Sequence, residues 1–288
     1  MNKYNIFEMG DKNSDQLKAC YDIIKEKHRG QGSLCILEKF TKMIEDKWSV
    51  SINMPPERIH RFLSLGHCDS IHGYIESLER TIEKTSDIDV DREALYRGLL
   101  KNWKDKRIAF EKTFDNGKSF KYGALNVGGI GIVGRYGYFC VILDRSEAEK
   151  YLSLVFIMCD SLRNYVDDNC CVNNKKLEKE VSNRNHVQIL ASAKHKEDIG
   201  LTPTNEWSKM ICSDTNYIEA IIQDDIKVEH IGIVYIKKSK FDELYNDIFN
   251  KLADGSVDGS FVKSYLSDLN TIFEKMDQDG IRWEKLNE

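Results

Sequence analysis

The chain has 288 residues, of which 41% are hydrophobic and 31% charged, and its formal net charge is -5. This composition is typical of a globular protein that can form one large core or two smaller ones. The small net charge argues against a strongly basic surface, so no nucleic-acid partner is expected. No apolar run approaches the roughly 20 residues that a membrane-spanning helix needs, so no membrane partner is expected either.

The N-terminus and the cysteines bear on the cellular compartment. The first 15 residues contain no apolar segment typical of a secretory signal peptide. The eight cysteines form no C-x-x-C pair, and several lie within apolar patterns, where a free cysteine behaves as a small hydrophobe. We therefore expect reduced thiols and a cytoplasmic location.

The first 90 residues are predicted to be helical. Apolar residues recur at intervals of three and four after Ser14, again over Leu37–Trp48, and again over Ile71–Ile82. This part of the chain shows almost no strand pattern. We therefore predict a helical N-terminal lobe comprising residues 1–90.

After this lobe the pattern changes from helix to strand. A helix capped by Asp91 is followed by short apolar runs typical of strands, and the chain ends in two helical patterns. The predicted strands are IAF (108–110), FKYGALNV (120–127), YGYFCVIL (136–143), YLSLVFIM (151–158), Val187–Ala191, NYIEAIIQ (216–223) and VEHIGIVYI (228–236). We predict an α+β fold in which residues 91–288 form a mainly antiparallel, split β-core with C-terminal helices.

Seven of the 18 glycines fall between Gly117 and Gly137, next to these predicted strands. Glycine is used where the backbone takes a positive φ or approaches another group closely. The GGIGIVG part leads into a strand rather than a helix, which argues for a hairpin loop and against a dinucleotide-binding fingerprint. Gly123 instead lies inside the strand pattern KYGALN, where a missing side chain often marks the close approach of a ligand. We interpret the segment as half of a ligand-binding β-cleft.

Charged side chains in the strand patterns are the next candidates. Glu219 is the carboxylate within the apolar run YIEAII; a glutamate that faces solvent from an edge strand is the more common case, but a rigidly held carboxylate can also stabilise a developing cation in a cleft. Arg107, at the start of the first predicted strand, offers a planar fork for phosphate oxygens, whereas Arg97 falls in a helical pattern and is predicted to lie on the surface. The scattered histidines predict no metal site.

Four short blocks of residues occur in order along the chain. They are R-x-x-F-E followed by N-G (Arg107, Phe110, Glu111, Asn116, Gly117), YGALN (Tyr122–Asn126), RYG-x-x-C (Arg135, Tyr136, Gly137, Cys140) and YIEA (Tyr217–Ala220). The blocks resemble those of an uncharacterised bacterial domain family. Their order, with an early arginine, an aromatic middle strand and a late glutamate, also resembles the ADP-ribosyltransferase toxins and effectors. The resemblance spans roughly residues 107–236.

The resemblance implies a function and a role for individual residues. It implies transfer of ADP-ribose from NAD, the substrate, to a macromolecule, with a protein as the expected target. Arg107 would hold the NAD diphosphate, Tyr122 and Gly123 would flank the nicotinamide, and Glu219 would be the catalytic carboxylate. The implied NAD-binding set also contains Asn116, Gly117, Asn126, Arg135 and Tyr136. A toxin of this kind could be delivered to the cytosol of a target cell without a cleaved signal peptide and could have a cognate inhibitor.

Two other functions stay open at this point. The Ser-Thr-Ser middle strand of these toxins is absent, and Tyr217 stands where many of them have Glu or Gln. Both departures favour a non-catalytic binding module with a related cleft. A different transferase or lyase is the third hypothesis, in which Glu219 and a histidine would act as acid and base.

Overall fold

The computed structural model describes residues 3–85, 91–130 and 137–286. The α-helices in these ranges are α1 (Ile6–Lys12), α2 (Ser14–Gly30), α3 (Leu34–Lys47), α4 (Pro56–Leu65), α5 (Ile71–Thr85), α6 (Arg92–Leu100), α7 (Lys104–Lys112), α8 (Arg145–Tyr151), α9 (Ser161–Asn164), α10 (Asn174–Glu180), α11 (Val187–Lys194), α12 (Trp207–Ile211), α13 (Lys238–Ala253) and α14 (Gly259–Gln278). The strands are β1 (Trp48–Met54), β2 (His67–Cys68), β3 (Lys121–Val127), β4 (Phe139–Leu143), β5 (Leu154–Ile157), β6 (Val181–Asn183), β7 (Glu219–Ile222), β8 (Ile226–Lys227), β9 (Ile231–Lys237) and β10 (Trp283–Leu286).

Within the described ranges, eight of the strands form one sheet in the order β10-β9-β4-β1-β3-β7-β5-β6. The pair β9–β10 is parallel and the other neighbouring pairs are antiparallel. Strands β2 and β8 form a separate antiparallel ribbon. The predicted α+β class, with a mainly antiparallel core and C-terminal helices, is confirmed.

Strand β1 lies at the centre of this sheet, between β3 and β4, so the prediction that the first 90 residues contain almost no strand is wrong. Its alternation of apolar and polar residues, WSVSINM, is a strand pattern. Trp48 also continues the three-and-four spacing of the apolar residues in α3. The sequence pattern therefore does not show where the helix ends and the strand begins. The boundary near residue 90 stays a prediction; hydrophobic residues on both sides of it belong to one core cluster.

Two predicted strands are helices instead. The run IAF after Arg107 belongs to α7, and Val187–Ala191 begins α11. Runs of three to five apolar residues fit a buried helix as well as a strand, because periodicity does not separate the two at that length. In α11, five residues (Val187, Ile189, Leu190, Ala191 and Ser192) are buried, which explains why its sequence lacks a polar face.

The two faces of the sheet are covered differently. One face packs into a large core with residues of α2, α3, α4, α11, α12, α13 and α14. The other face is covered at one end by a smaller cluster that includes Phe110 of α7 and Val155 of β5. In the same sheet, Ser51, Ala124 and Glu219 are register neighbours on β1, β3 and β7. This central part of the second face borders a cleft.

A buried histidine next to the large core leads to a testable prediction about stability at acid pH. His195, just after the C-terminal end of α11, is 0% exposed; its ring nitrogens make no hydrogen bond among the described residues, and its Nδ1 lies 3.6 Å from Oδ2 of Asp198. Burial lowers the pKa of His195 to about 4, Lys194 contributes in the same direction, and Asp198 opposes the shift only in part. Since the unfolded chain takes up the proton near pH 6.5, stability falls as the pH drops from 6.5 towards 4.

The variant His195→Leu should remove this pH dependence. Relative to the variant, the wild type is expected to lose about 3 kcal/mol of unfolding free energy between pH 7 and pH 4. Urea unfolding curves at several pH values measure the difference. Parallel pH profiles for the two proteins would show that His195 is protonated as easily in the fold as in the unfolded chain.

Candidate active site

A cleft of about 590 Å³ opens beside the second face of the sheet. This volume is typical of sites that bind small molecules. The polar and aromatic side chains that line it include Ser51 and Asn53 of β1, Arg58 of α4, Tyr74 of α5, Trp103 and Arg107 next to and within α7, Tyr122 of β3, Asp160 and Arg163 around α9, and Glu219 of β7. Three of the residues singled out in the sequence, Arg107, Tyr122 and Glu219, therefore lie together.

Arg107 is held over the ring of Tyr122. The carbon of its guanidinium group lies 3.6 Å from the centroid of that ring, a close cation–π contact. Its buried Nη1 atom has no hydrogen-bond partner in the described part of the chain. Burial alone would lower the pKa of Arg107, but Tyr122, Glu219 and Glu111 together raise it. The cleft thus contains a fixed cation with an unsatisfied donor, which suits a phosphate or carboxylate ligand.

Glu219 is buried at the start of β7, with only 4% of its surface exposed. Its Oε2 accepts a hydrogen bond of 2.8 Å from the backbone N–H of Ser161. Burial raises the pKa of Glu219 to about 7, and the negative charge of Asp160 adds to this, while Arg107 acts in the opposite direction. A carboxyl group with such a pKa exchanges a proton near neutral pH and can serve in acid–base or electrostatic catalysis.

A hydrogen-bonded chain supports the cleft from the side of α7. Glu111 follows Arg107 by one helical turn, and its Oε1 accepts a bond of 3.0 Å from the hydroxyl of Tyr122. Its Oε2 lies 2.5 Å from Nε2 of His72, whose other ring nitrogen contacts the hydroxyl of Tyr96. The chain fixes the orientation of Tyr122 and hence of Arg107. The R-x-x-F-E spacing in the sequence indicates that Arg107 and Glu111 lie close together, since residues four apart share one helix face.

A second carboxylate, Asp160, was not identified from the sequence. Its Oδ1 caps α9 by accepting the backbone N–H groups of Leu162 and Arg163. Its Oδ2 accepts a bond of 2.7 Å from the hydroxyl of Tyr217, two residues before Glu219. An Asp-Ser pair directly after an apolar strand is a helix N-cap pattern that could have drawn attention to this position.

Gly123 lines the cleft, and packing within the sheet accounts for its missing side chain. A Cβ atom at this position would lie 2.7 Å from the backbone oxygen of Ser51 and 2.8 Å from Cγ1 of Val50. The neighbouring strand β1 therefore approaches Gly123 closely. Glycine is required here by the packing within the sheet.

Three further predicted NAD-binding residues, Asn116, Gly117 and Asn126, lie away from the cleft lining. Asn116, with φ 54°, and Gly117 form the tight turn after α7, where a Cβ on Gly117 would overlap the backbone of Glu111. Asn126 is fully buried on β3. None of these three lines the cleft. The predicted positions Arg135 and Tyr136 lie outside the described residues.

Comparisons with known proteins do not assign the chain to a family. No protein-family model matches the sequence, and a search of curated proteins finds no match. Within the described ranges, no group of three or more His, Cys, Asp or Glu side chains is placed to hold a metal ion. A helix long and apolar enough to cross a membrane is likewise absent from those ranges. The functional argument therefore depends on the geometry of the cleft.

Proposed function

We propose that the protein transfers ADP-ribose from NAD to a protein acceptor, as a bacterial toxin or effector. The observation that carries the proposal is the shared cleft of Arg107, Tyr122 and Glu219. The three residues come from α7, β3 and β7, and they are the ones to which the resemblance to ADP-ribosyltransferases gives the central roles. A buried cation, an aromatic ring and a buried carboxylate are the groups that such a reaction needs.

Arg107 would bind the diphosphate of NAD. Its unsatisfied Nη1 donor and its stacking on Tyr122 support this role, because a guanidinium group held in one orientation loses little freedom when it binds phosphate oxygens. With the diphosphate held, the nicotinamide ribose would lie next to Tyr122 and Glu219. The cleft then supplies position and orientation, which are major sources of rate enhancement.

Glu219 would act on the bond between nicotinamide and ribose. As this bond breaks, nicotinamide leaves with the electron pair and positive charge develops on the ribose ring. The ionised carboxylate of Glu219 stabilises this charge in a desolvated site, where electrostatic interactions are strong. The nucleophile of the acceptor protein then forms the new bond to the ribose carbon and releases its proton.

The proposal is tested by following both products. The purified protein is incubated with a cell lysate and NAD labelled in the ADP-ribose part, and labelled proteins and free nicotinamide are measured. Labelled protein and equimolar nicotinamide are expected with the wild type, whereas Glu219→Gln should form both products roughly 10²–10³-fold more slowly. NAD that stays intact in every lysate would contradict the transfer reaction.

The pH dependence of the reaction should report the ionisation of Glu219. Because the raised pKa of about 7 leaves the carboxyl group largely protonated in acid, kcat/KM is expected to rise with pH and to level off above about pH 8. At pH 6, activity should be about tenfold below the plateau. Initial rates between pH 5.5 and 9 measure the profile. A rate that is constant from pH 5.5 upwards would show that Glu219 is not the group whose ionisation matters.

A non-catalytic binding module is the second candidate, and one observation favours it. Tyr217 is engaged by Asp160, and Glu219 already accepts a backbone hydrogen bond, so both side chains have structural partners. In that case NAD or a related anion would bind without chemical change. Saturable NAD binding together with complete recovery of NAD after prolonged incubation would identify this function.

A further inference from the structure

Trp103 is an aromatic side chain that the proposed chemistry does not use. It lines the same cleft, and 38% of its surface is exposed. By contrast, Trp48 and Trp207 are buried in the large core. An exposed indole in a cleft wall offers a flat apolar surface on which a ligand ring can stack.

Trp103 lies about one helical turn before Arg107. Trp103 is the residue before α7, and Arg107 follows it by four residues. Side chains four apart on a helical segment lie on one face, roughly one turn of 5.4 Å from each other. A ligand whose anionic group binds Arg107 can therefore place an attached ring on Trp103.

Cations surround this aromatic surface. The guanidinium carbon of Arg163 lies 5.4 Å from the centroid of the Trp103 ring, and Nζ of Lys106 lies 6.0 Å from it. Arg163 is also 4.0 Å from Oδ2 of Asp160, which holds it at the cleft wall. Aromatic side chains flanked by arginine and lysine are the usual surface for bases that carry phosphates.

The backbone next to Trp103 is strained. Lys101, which also lines the cleft, has a φ of 49°, a conformation that residues other than glycine rarely adopt. Such strain costs free energy and is concentrated at sites of ligand binding. Here it lies in the short turn Lys101–Trp103 that presents the indole.

From these observations we propose that Trp103 and Arg163 form a second subsite, which binds the purine base of a nucleotide. The base stacks on the indole of Trp103, and its phosphates lie between Arg163 and Arg107. The inference deepens the proposed function and depends on it for the identity of the ligand: the base would be the adenine of NAD. The nicotinamide half of the substrate would then occupy the part of the cleft next to Glu219.

The two halves of NAD test the subsite separately. Calorimetric titrations with AMP and with nicotinamide mononucleotide are compared for the wild type, Trp103→Ala and Trp103→Phe. Trp103→Ala is expected to weaken AMP binding roughly tenfold or more, since one base–aromatic stack contributes that much affinity. Trp103→Phe should restore most of the affinity, and the affinity for nicotinamide mononucleotide should stay unchanged. Phe261→Ala, at an exposed aromatic residue of α14, is the matched control.

The outcomes separate this inference from the transfer reaction. Equal AMP affinity in the wild type and Trp103→Ala overturns the subsite, and so does equal weakening of AMP and nicotinamide mononucleotide. Absence of AMP binding to the wild type overturns it as well. The protein could also bind AMP in a manner that depends on Trp103 and yet leave NAD intact. This outcome supports the subsite and contradicts the proposed transfer reaction.

Discussion

Glu219→Gln is expected to reduce NAD turnover by roughly 10²–10³-fold, the size of effect that follows when one electrostatic group at a reacting centre is lost. The amide has nearly the shape of the carboxyl group but carries no charge to stabilise the developing cation. The loss should appear in kcat, while KM changes little, because in the proposed complex the diphosphate, not Glu219, would hold NAD. Initial-rate measurements of nicotinamide release provide the comparison.

The stability of Glu219→Gln serves as its control. The pKa of Glu219 is raised from 4.5 to about 7 in the fold, so ionisation of this carboxyl group disfavours the folded state as the pH rises through this window. The wild type should therefore lose about 3 kcal/mol relative to the variant between pH 4.5 and pH 8. If the variant is folded and keeps wild-type turnover, Glu219 takes no part in the reaction.

Arg107→Lys should weaken NAD binding roughly 10–100-fold, although the charge is kept. A lysine cannot reproduce the planar fork of donors, and a fork that binds two oxygens contributes more than a single charge. It also loses the flat stacking contact with Tyr122, in which the guanidinium carbon is 3.6 Å from the ring centroid. Calorimetric titration of NAD into both proteins measures the change.

The matched control for this substitution is Arg97→Lys. Arg97 lies on the exposed surface of α6, as its helical pattern predicts. The control should bind NAD like the wild type, and both variants should unfold at the wild-type temperature within a few degrees. Equal NAD affinity in Arg107→Lys and Arg97→Lys would show that Arg107 does not contact the substrate.

Part of the cleft could be predicted from the sequence: Tyr122 and Glu219 lie on β3 and β7, and both strands fall within predicted strands. Arg107, a candidate site residue in the sequence, lines the cleft from the helix α7 rather than from a strand, because the run IAF fits either element. For Glu219, a solvent-facing position was the more common expectation from sequence. Its burial follows from the contact with α9, which short-range patterns do not report.

The site residues that the sequence analysis did not identify were missed for the same reason. Trp103 and Asp160 reach the cleft, and Glu111 reaches Tyr122 at its edge, because α7 and α9 pack over the second face of the sheet. The cluster beneath α7 contains Val155 of β5 and Ile221 of β7, which are distant from α7 in the sequence. Local periodicity therefore predicts the α+β class, whereas the neighbours of a site depend on strand order, which is a long-range property.

The most direct test of an NAD-binding cleft built on Arg107 is a calorimetric titration of the purified wild-type protein with NAD. We predict saturable binding of one NAD per chain below millimolar concentration, which inorganic diphosphate displaces. The absence of heat at millimolar NAD, in a protein that unfolds cooperatively, would contradict the NAD-binding cleft.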